Sequence, residues 1–162
     1  MFKYLKKPYL IAEIGINHNG DINIAKKLID ATNATNWDSC KFQKRSPDIC
    51  VPEAQKNILK ETPWGSMKYI DYKHKIEFNK KEYDQINSLC NQKKIDWTAS
   101  VWDYESLDFI LNNNYDIPFI KIPSAINGSH QFLIDSCKTG KPILVSLGMI
   151  DLKEVDDIVN IL

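Results

Sequence analysis

No sign of charge is in surplus in this chain: its 162 residues carry 21 Lys and Arg against 21 Asp and Glu, a formal net charge of +0. General nucleic-acid and membrane-surface binders draw on a basic excess to meet phosphates, so neither is expected as the main role. No apolar run approaches the roughly 18 residues of a membrane span. Residues 1–8 include lysines but no long apolar segment with a small-residue cleavage site, so they do not read as a secretory signal, and a cytoplasmic location is expected. Cys40, Cys50, Cys90 and Cys137 show no Cys-x-x-Cys spacing, and the three histidines show no metal-pair spacing. Reduced, packed thiols and no metal site within the chain are the expectation. Gly-x-Gly-x-x-Gly, the phosphate turn of many open doubly wound sheets, is also missing.

What the chain does contain is an alternation of strand-like and helix-like runs. Residues 9–16 read as a buried strand, after which Gly20 and Asp21 offer a turn and an N-cap for a helix carrying Ile24, Leu28 and Ile29. A second strand is expected at 39–43. An irregular stretch follows over 45–79, with Pro47, Pro52, Pro63 and Gly65, and then a helix over 80–93 with Tyr83, Ile86 and Leu89 on one face. Strands at 95–101, 118–123 and 142–147 alternate with helices at 104–113, around Phe132 to Cys137, and at 152–162, the last burying Val155, Ile158 and Val159. Five βα units in series predict a parallel sheet with right-handed crossovers.

Two lysines break this apolar pattern. Lys41 in Cys40-Lys41-Phe42-Gln43-Lys44 and Lys121 in Phe119-Ile120-Lys121-Ile122-Pro123-Ser124 each lie near the C-terminal end of a strand. A buried ammonium needs an anion, and two of them, with Ser100 and Ser146 ending two further strands, point to a pocket for phosphate and carboxylate. Glu13, Lys41, Gln43, Ser100, Lys121, Ser124 and Ser146 come from all five strands or their ends. Such a distribution suits a ring of strands facing one centre at its C-terminal mouth, a (β/α)₈ barrel with about five of its units present. Taken singly, each serine reads first as a cap of a strand end or turn, and Glu13 could be a buried partner of Lys41 or Lys121.

Five segments in register resemble the sialic acid synthase (N-acetylneuraminate synthase) family: Ala12-Glu13-Ile14-Gly15-Ile16-Asn17-His18-Asn19-Gly20, Lys41-Phe42-Gln43-Lys44, Thr98-Ala99-Ser100, Lys121-Ile122-Pro123-Ser124 and Ser146-Leu147-Gly148-Met149. The segment from Tyr72 to Phe78 is similar to the family's stretch before its third strand. The resemblance implies a TIM-barrel enzyme that condenses phosphoenolpyruvate with N-acetylmannosamine or a related amino sugar and releases phosphate. It implies that residues 1–162 are the N-terminal portion of the barrel domain, without the barrel's later units and the antifreeze-like domain. It places Lys41, Ser100, Lys121, Ser124 and Ser146 around phosphoenolpyruvate, Gln43 towards the sugar, and Glu13 near the aldehyde as the catalytic carboxylate. Asn17 and His18 are then possible mouth residues, His18 being as well suited to holding its own turn.

The family's divalent metal, Mn2+ or Mg2+, would be held by histidines outside this chain, and the complete enzyme is expected to be a homodimer. One departure is Ile126, two places after Ser124, where bacterial members often have an acidic residue. Other readings remain: a synthase for a legionaminic- or pseudaminic-type acid, another phosphoenolpyruvate-dependent aldol-type synthase, or a non-catalytic half-barrel that binds anions or assembles with a partner.

Overall fold

The computed structural model describes residues 7–162, so most of the segment weighed as a secretory signal lies outside the described residues. Five parallel strands, β1 (Ile11–Gly15), β2 (Ser39–Lys44), β5 (Asp96–Val101), β6 (Ile120–Ile122) and β7 (Ile143–Val145), form one sheet in the order β1-β2-β5-β6-β7. Within this sheet each strand lies beside the one that precedes it in chain order. With right-handed crossovers, such an unreversed order puts every connecting helix on the same face of the sheet. Those helices are α1 (Ile22–Ala34), α5 (Lys80–Lys93), α6 (Tyr104–Asn112) and α7 (His130–Cys137), with α8 (Leu152–Ile161) beyond the last strand.

Strand alternation explains why only one face is greasy. Cys40 and Phe42 on β2, Trp97, Ala99 and Val101 on β5, and Ile120 and Ile122 on β6 are all buried in one core with Ala25, Ile29, Ile86, Cys90 and Ile110 of the helices. The intervening positions are Lys41, Gln43, Thr98, Ser100 and Lys121. Helix starts follow the local chemistry. Asp21 caps α1 by accepting from the Asn23 amide, Asn79 and Glu82 form a reciprocal capping box on α5, and Asp151 and Glu154 form another on α8.

Two expectations need correction. Residues 45–79 are not irregular: they hold the one-turn helices α2 (Pro47–Cys50) and α3 (Glu53–Lys56), an antiparallel hairpin of β3 (Leu59–Thr62) and β4 (Gly65–Lys68), and helix α4 (Tyr69–Ile76). Pro47 and Pro52 start these helices rather than interrupt structure, since a first-turn position needs no amide proton. On α8, Ile158 is buried but Val159 is 61% exposed, so its apolar stripe is narrower than the sequence suggested. No helix among the described residues is long and apolar enough to cross a membrane.

Candidate active site

Sheet register collects the polar side chains into two adjoining rows. Glu13 stands beside Lys41 and Lys41 beside Thr98; one step further on, Gln43 stands beside Ser100, Ser100 beside Lys121, and Lys121 beside Leu144. Lys41 is only 8% exposed. Its ammonium forms a close ion pair with Glu13 and donates to Ser100 Oγ at 3.1 Å. Lys121 donates to the Ile122 carbonyl at 2.6 Å and to Ser146 Oγ.

The two cations sense each other. Burial, and after it the charge of Lys41, push the Lys121 amine down to about 8, while Glu13 opposes the shift. One carboxylate therefore faces two ammonium groups, and the hydrogen-bond acceptors found for Lys121 are neutral oxygens. Such a site is electropositive and supplied with hydroxyl donors, the chemistry of an anion-binding pocket.

Neighbouring groups close the rim. A Cβ built on Gly148 would stand 3.0 Å from Ser124 Oγ, which places that hydroxyl against the loop after β7. Asn127, buried, donates through its side-chain nitrogen to the carbonyls of Ser146 at 2.9 Å and Gly148 at 3.1 Å, so it ties the Ser124 turn to the Ser146 loop. Ile126, the departure noted in the sequence, packs against the core and lines a small apolar cavity with Trp102 and Phe132. Gly15, at φ +56°, sits between Glu13 and Gln43: a Cβ there would lie 3.4 Å from both Glu13 Oε1 and Gln43 Nε2. These two side chains thus converge over a residue that has none.

Of the remaining candidates, Glu13 belongs to this cluster, whereas His18 and Asn17 are engaged in their own turn. Glu13 is not a buried carboxylate; its side chain is 56% exposed while it pairs with Lys41. His18 does not open onto the mouth: it is 2% exposed, stacks on Phe78 with ring centroids 4.0 Å apart, and accepts the Gly20 amide at Nδ1, 3.1 Å away. Burial pushes its pKa down to about 4, so it is a neutral ring holding its own turn. Asn17 is exposed, and its side chain donates to the Ile14 carbonyl at 3.0 Å within that turn.

Three residues near the site carry no assigned role in the sequence reading. Thr98 lies between Lys41 and the Phe119 carbonyl, to which it donates at 2.6 Å, and its place two residues before Ser100 was a usable signal. Arg45 continues the period-two row of Lys41 and Gln43 and contacts Gln43 directly. Asn127 gave no signal, because an asparagine in a turn reads only as a turn former.

A one-sided parallel α/β sheet carrying an electropositive, hydroxyl-lined site at the C-terminal ends of its strands defines the class. Residues 28–162 match the NeuB family, and the chain belongs to it. It is 33% identical over 160 residues, 98% of its length, to the N-acetylneuraminate-9-phosphate synthase of Drosophila melanogaster, of which it covers 42%. It is 31% identical over 161 residues to the N,N'-diacetyllegionaminic acid synthase of Campylobacter jejuni, covering 98% of the chain and 47% of that protein. The solved N-acetylneuraminic acid synthetase of Leptospira borgpetersenii, in complex with citrate, shares the fold at a TM-score of 0.81 and 24% identity, over 94% of this chain and 49% of that one. The chain therefore spans less than half the length of these relatives.

Proposed function

We propose that this chain supplies the donor-binding face of a sialic acid synthase-type enzyme. In that reaction phosphoenolpyruvate condenses with N-acetylmannosamine or a related N-acetylated amino sugar to a nine-carbon 2-keto acid, with release of phosphate. One observation carries the reading: Lys121 stands within electrostatic reach of Lys41, with neutral oxygens as its hydrogen-bond acceptors. A ligand with about three negative charges would relieve the repulsion, Lys41 and Lys121 meeting its phosphate and carboxylate while Ser100, Ser124 and Ser146 donate to the remaining oxygens.

Glu13 and Gln43, converging over Gly15, are the groups left to face the acceptor. The Glu13 carboxylate would orient a water or carry a proton at the aldehyde carbon. The names of the relatives, one an N-acetylneuraminate-9-phosphate synthase and one a diacetyllegionaminic acid synthase, support an N-acetylated amino sugar as the acceptor class. In this reading the five strands are the first five of an eight-stranded barrel, and the unreversed strand order with helices on one face supports it. The complete enzyme would be a homodimer. Mn2+ or Mg2+ is expected of such a synthase, but among the described residues no group of three or more His, Cys, Asp or Glu side chains is placed to hold a metal ion.

The test is phosphate release from phosphoenolpyruvate by the assembled enzyme that contains this chain. Release should require N-acetylmannosamine or a related amino sugar. Glu13→Gln should lower turnover about a hundredfold while leaving donor binding nearly unchanged. Undiminished turnover in that variant would remove Glu13 from the reaction, and phosphate release without any amino sugar would refute the condensation.

A further inference from the structure

Gln43 is not held by the sheet alone. Beyond β2 the polar row continues to Arg45, whose Nη2 donates to Gln43 Oε1. Arg45 is itself fixed from several sides. Its Nε stands 2.8 Å from Glu77 Oε1 in the alignment of an ion pair rather than a directed hydrogen bond, its amide donates to Glu77 Oε2 at 3.3 Å, and its guanidinium lies 4.5 Å from the centre of the Trp102 ring. The Arg45 side chain is 6% exposed and that of Glu77 8%. A planar fork pinned by a buried carboxylate and an aromatic face has little freedom, so the group it donates to has little freedom as well.

An amide side chain has an acceptor end and a donor end, and it recognises different partners with each. With Oε1 occupied by a cation, Gln43 turns Nε2 inward. That nitrogen and Glu13 Oε1 each lie 3.4 Å from the point where a Cβ on Gly15 would stand. A donor and an acceptor thus both approach the side of Gly15 that carries no side chain, no further from each other than twice that distance.

We propose that Arg45 is a positioning residue: it fixes the amide of Gln43 so that Gln43 Nε2 and Glu13 Oε1 form a matched donor and acceptor for a single hydroxyl of the sugar acceptor. The hydroxyl oxygen accepts from Gln43 while its proton is donated to Glu13. This rests on the proposed function only in taking Gln43 to face the acceptor. No side chain at residue 15 intervenes between the two groups, and the pair is oriented because residue 45 is arginine.

The experiment follows the side-chain amide resonances of Gln43 by NMR in this chain, with N-acetylmannosamine as the probe. Arg45→Met alone would leave the buried Glu77 carboxylate with only Lys44 Nζ, 3.7 Å away, as an ion-pair partner among the described residues, so the variant is Arg45→Met with Glu77→Gln, and its melting temperature is recorded beside that of the parent. In the parent the Gln43 amide should relax as a rigid group and shift on addition of the sugar. In the double variant it should become mobile, and the sugar concentration needed for half the shift should rise about tenfold, even where the melting temperature is kept. A sugar-responsive amide that is equally rigid and equally sensitive in the variant overturns the positioning role and leaves the acceptor assignment standing. A rigid, Arg45-dependent amide that ignores the sugar overturns the acceptor assignment, and the inference with it.

Discussion

Lys121 is the residue whose chemistry is most exposed to test. Its amine is held down to about 8 by burial and by Lys41, and only its protonated form attracts an anion. Affinity for phosphoenolpyruvate or inorganic phosphate should therefore be full below pH 8 and fall as pH rises, by up to about tenfold per unit, until the pKa of the bound state is reached. Calorimetric titration between pH 6.5 and 9.5 measures it, with pH values chosen to bracket that pKa. A flat profile would mean that the charge of Lys121 does not contact the ligand. Lys41 and Lys121 were legible in the sequence because a lysine inside an apolar strand is rare unless an anion meets it. Arg45 and Asn127 were not, because what they do depends on Gln43, Glu77 and the Ser146 loop being brought near, which no local pattern encodes.

At the scale of elements, the five βα units were legible from periodicity and caps, and the segment between β2 and α5 was not. Two of its helices are single turns, α4 runs only eight residues, and its hairpin strands are mostly exposed, so neither the 3.6-residue nor the two-residue period runs long enough to be seen. The same segment locks the turn after β1. Gly20 has φ +71°, and a Cβ there would meet the carbonyl oxygen of Lys75 at 2.2 Å. Gly20→Ala should cost at least about 2 kcal/mol in a denaturant titration, since backbone cannot move aside as a flexible side chain can; an unchanged midpoint would contradict the packing of α4 on this turn.

His18 in that turn gives a pH signature. Its folded pKa of about 4 lies below the ordinary 6.5, so the unfolded chain binds the proton more readily. Stability should be complete above pH 6.5 and decline as pH falls from 6.5 towards 4, by up to about 3 kcal/mol from this group. His18→Leu should flatten that limb of the stability–pH profile, read from melting temperatures at a series of pH values. An equally steep limb in the variant would assign the loss to the carboxylates instead.

For the whole molecule, the sheet is covered on one face and polar on the other, with β1 and β7 as its outer strands. Leu147, Met149, Leu152, Val159 and Leu162, from the loop after β7 to the end of α8, are exposed, Met149 at 80% and Leu152 at 84%. Open strand edges and clustered apolar side chains favour association. Sedimentation velocity on this chain should show mass rising with concentration, and a monomer at every concentration tested would argue that the face needs no cover. The alternation of units and the polar row were both readable before the structure. The one-sidedness of the sheet was implied by the barrel expected from the spread of polar residues over all five strands, and in the structure it follows from strand order.

The central claim is that Lys41 and Lys121 together form a site for a phosphate- and carboxylate-bearing donor. Calorimetric titration of phosphoenolpyruvate into this chain and into its Lys121→Met variant tests it most directly. The parent should bind saturably, and the variant should lose on the order of 2 kcal/mol or more of binding while keeping its melting temperature, because it removes a charge without removing a charged partner. Equal binding by the two proteins, or a loss of stability with no change in affinity, would contradict the account.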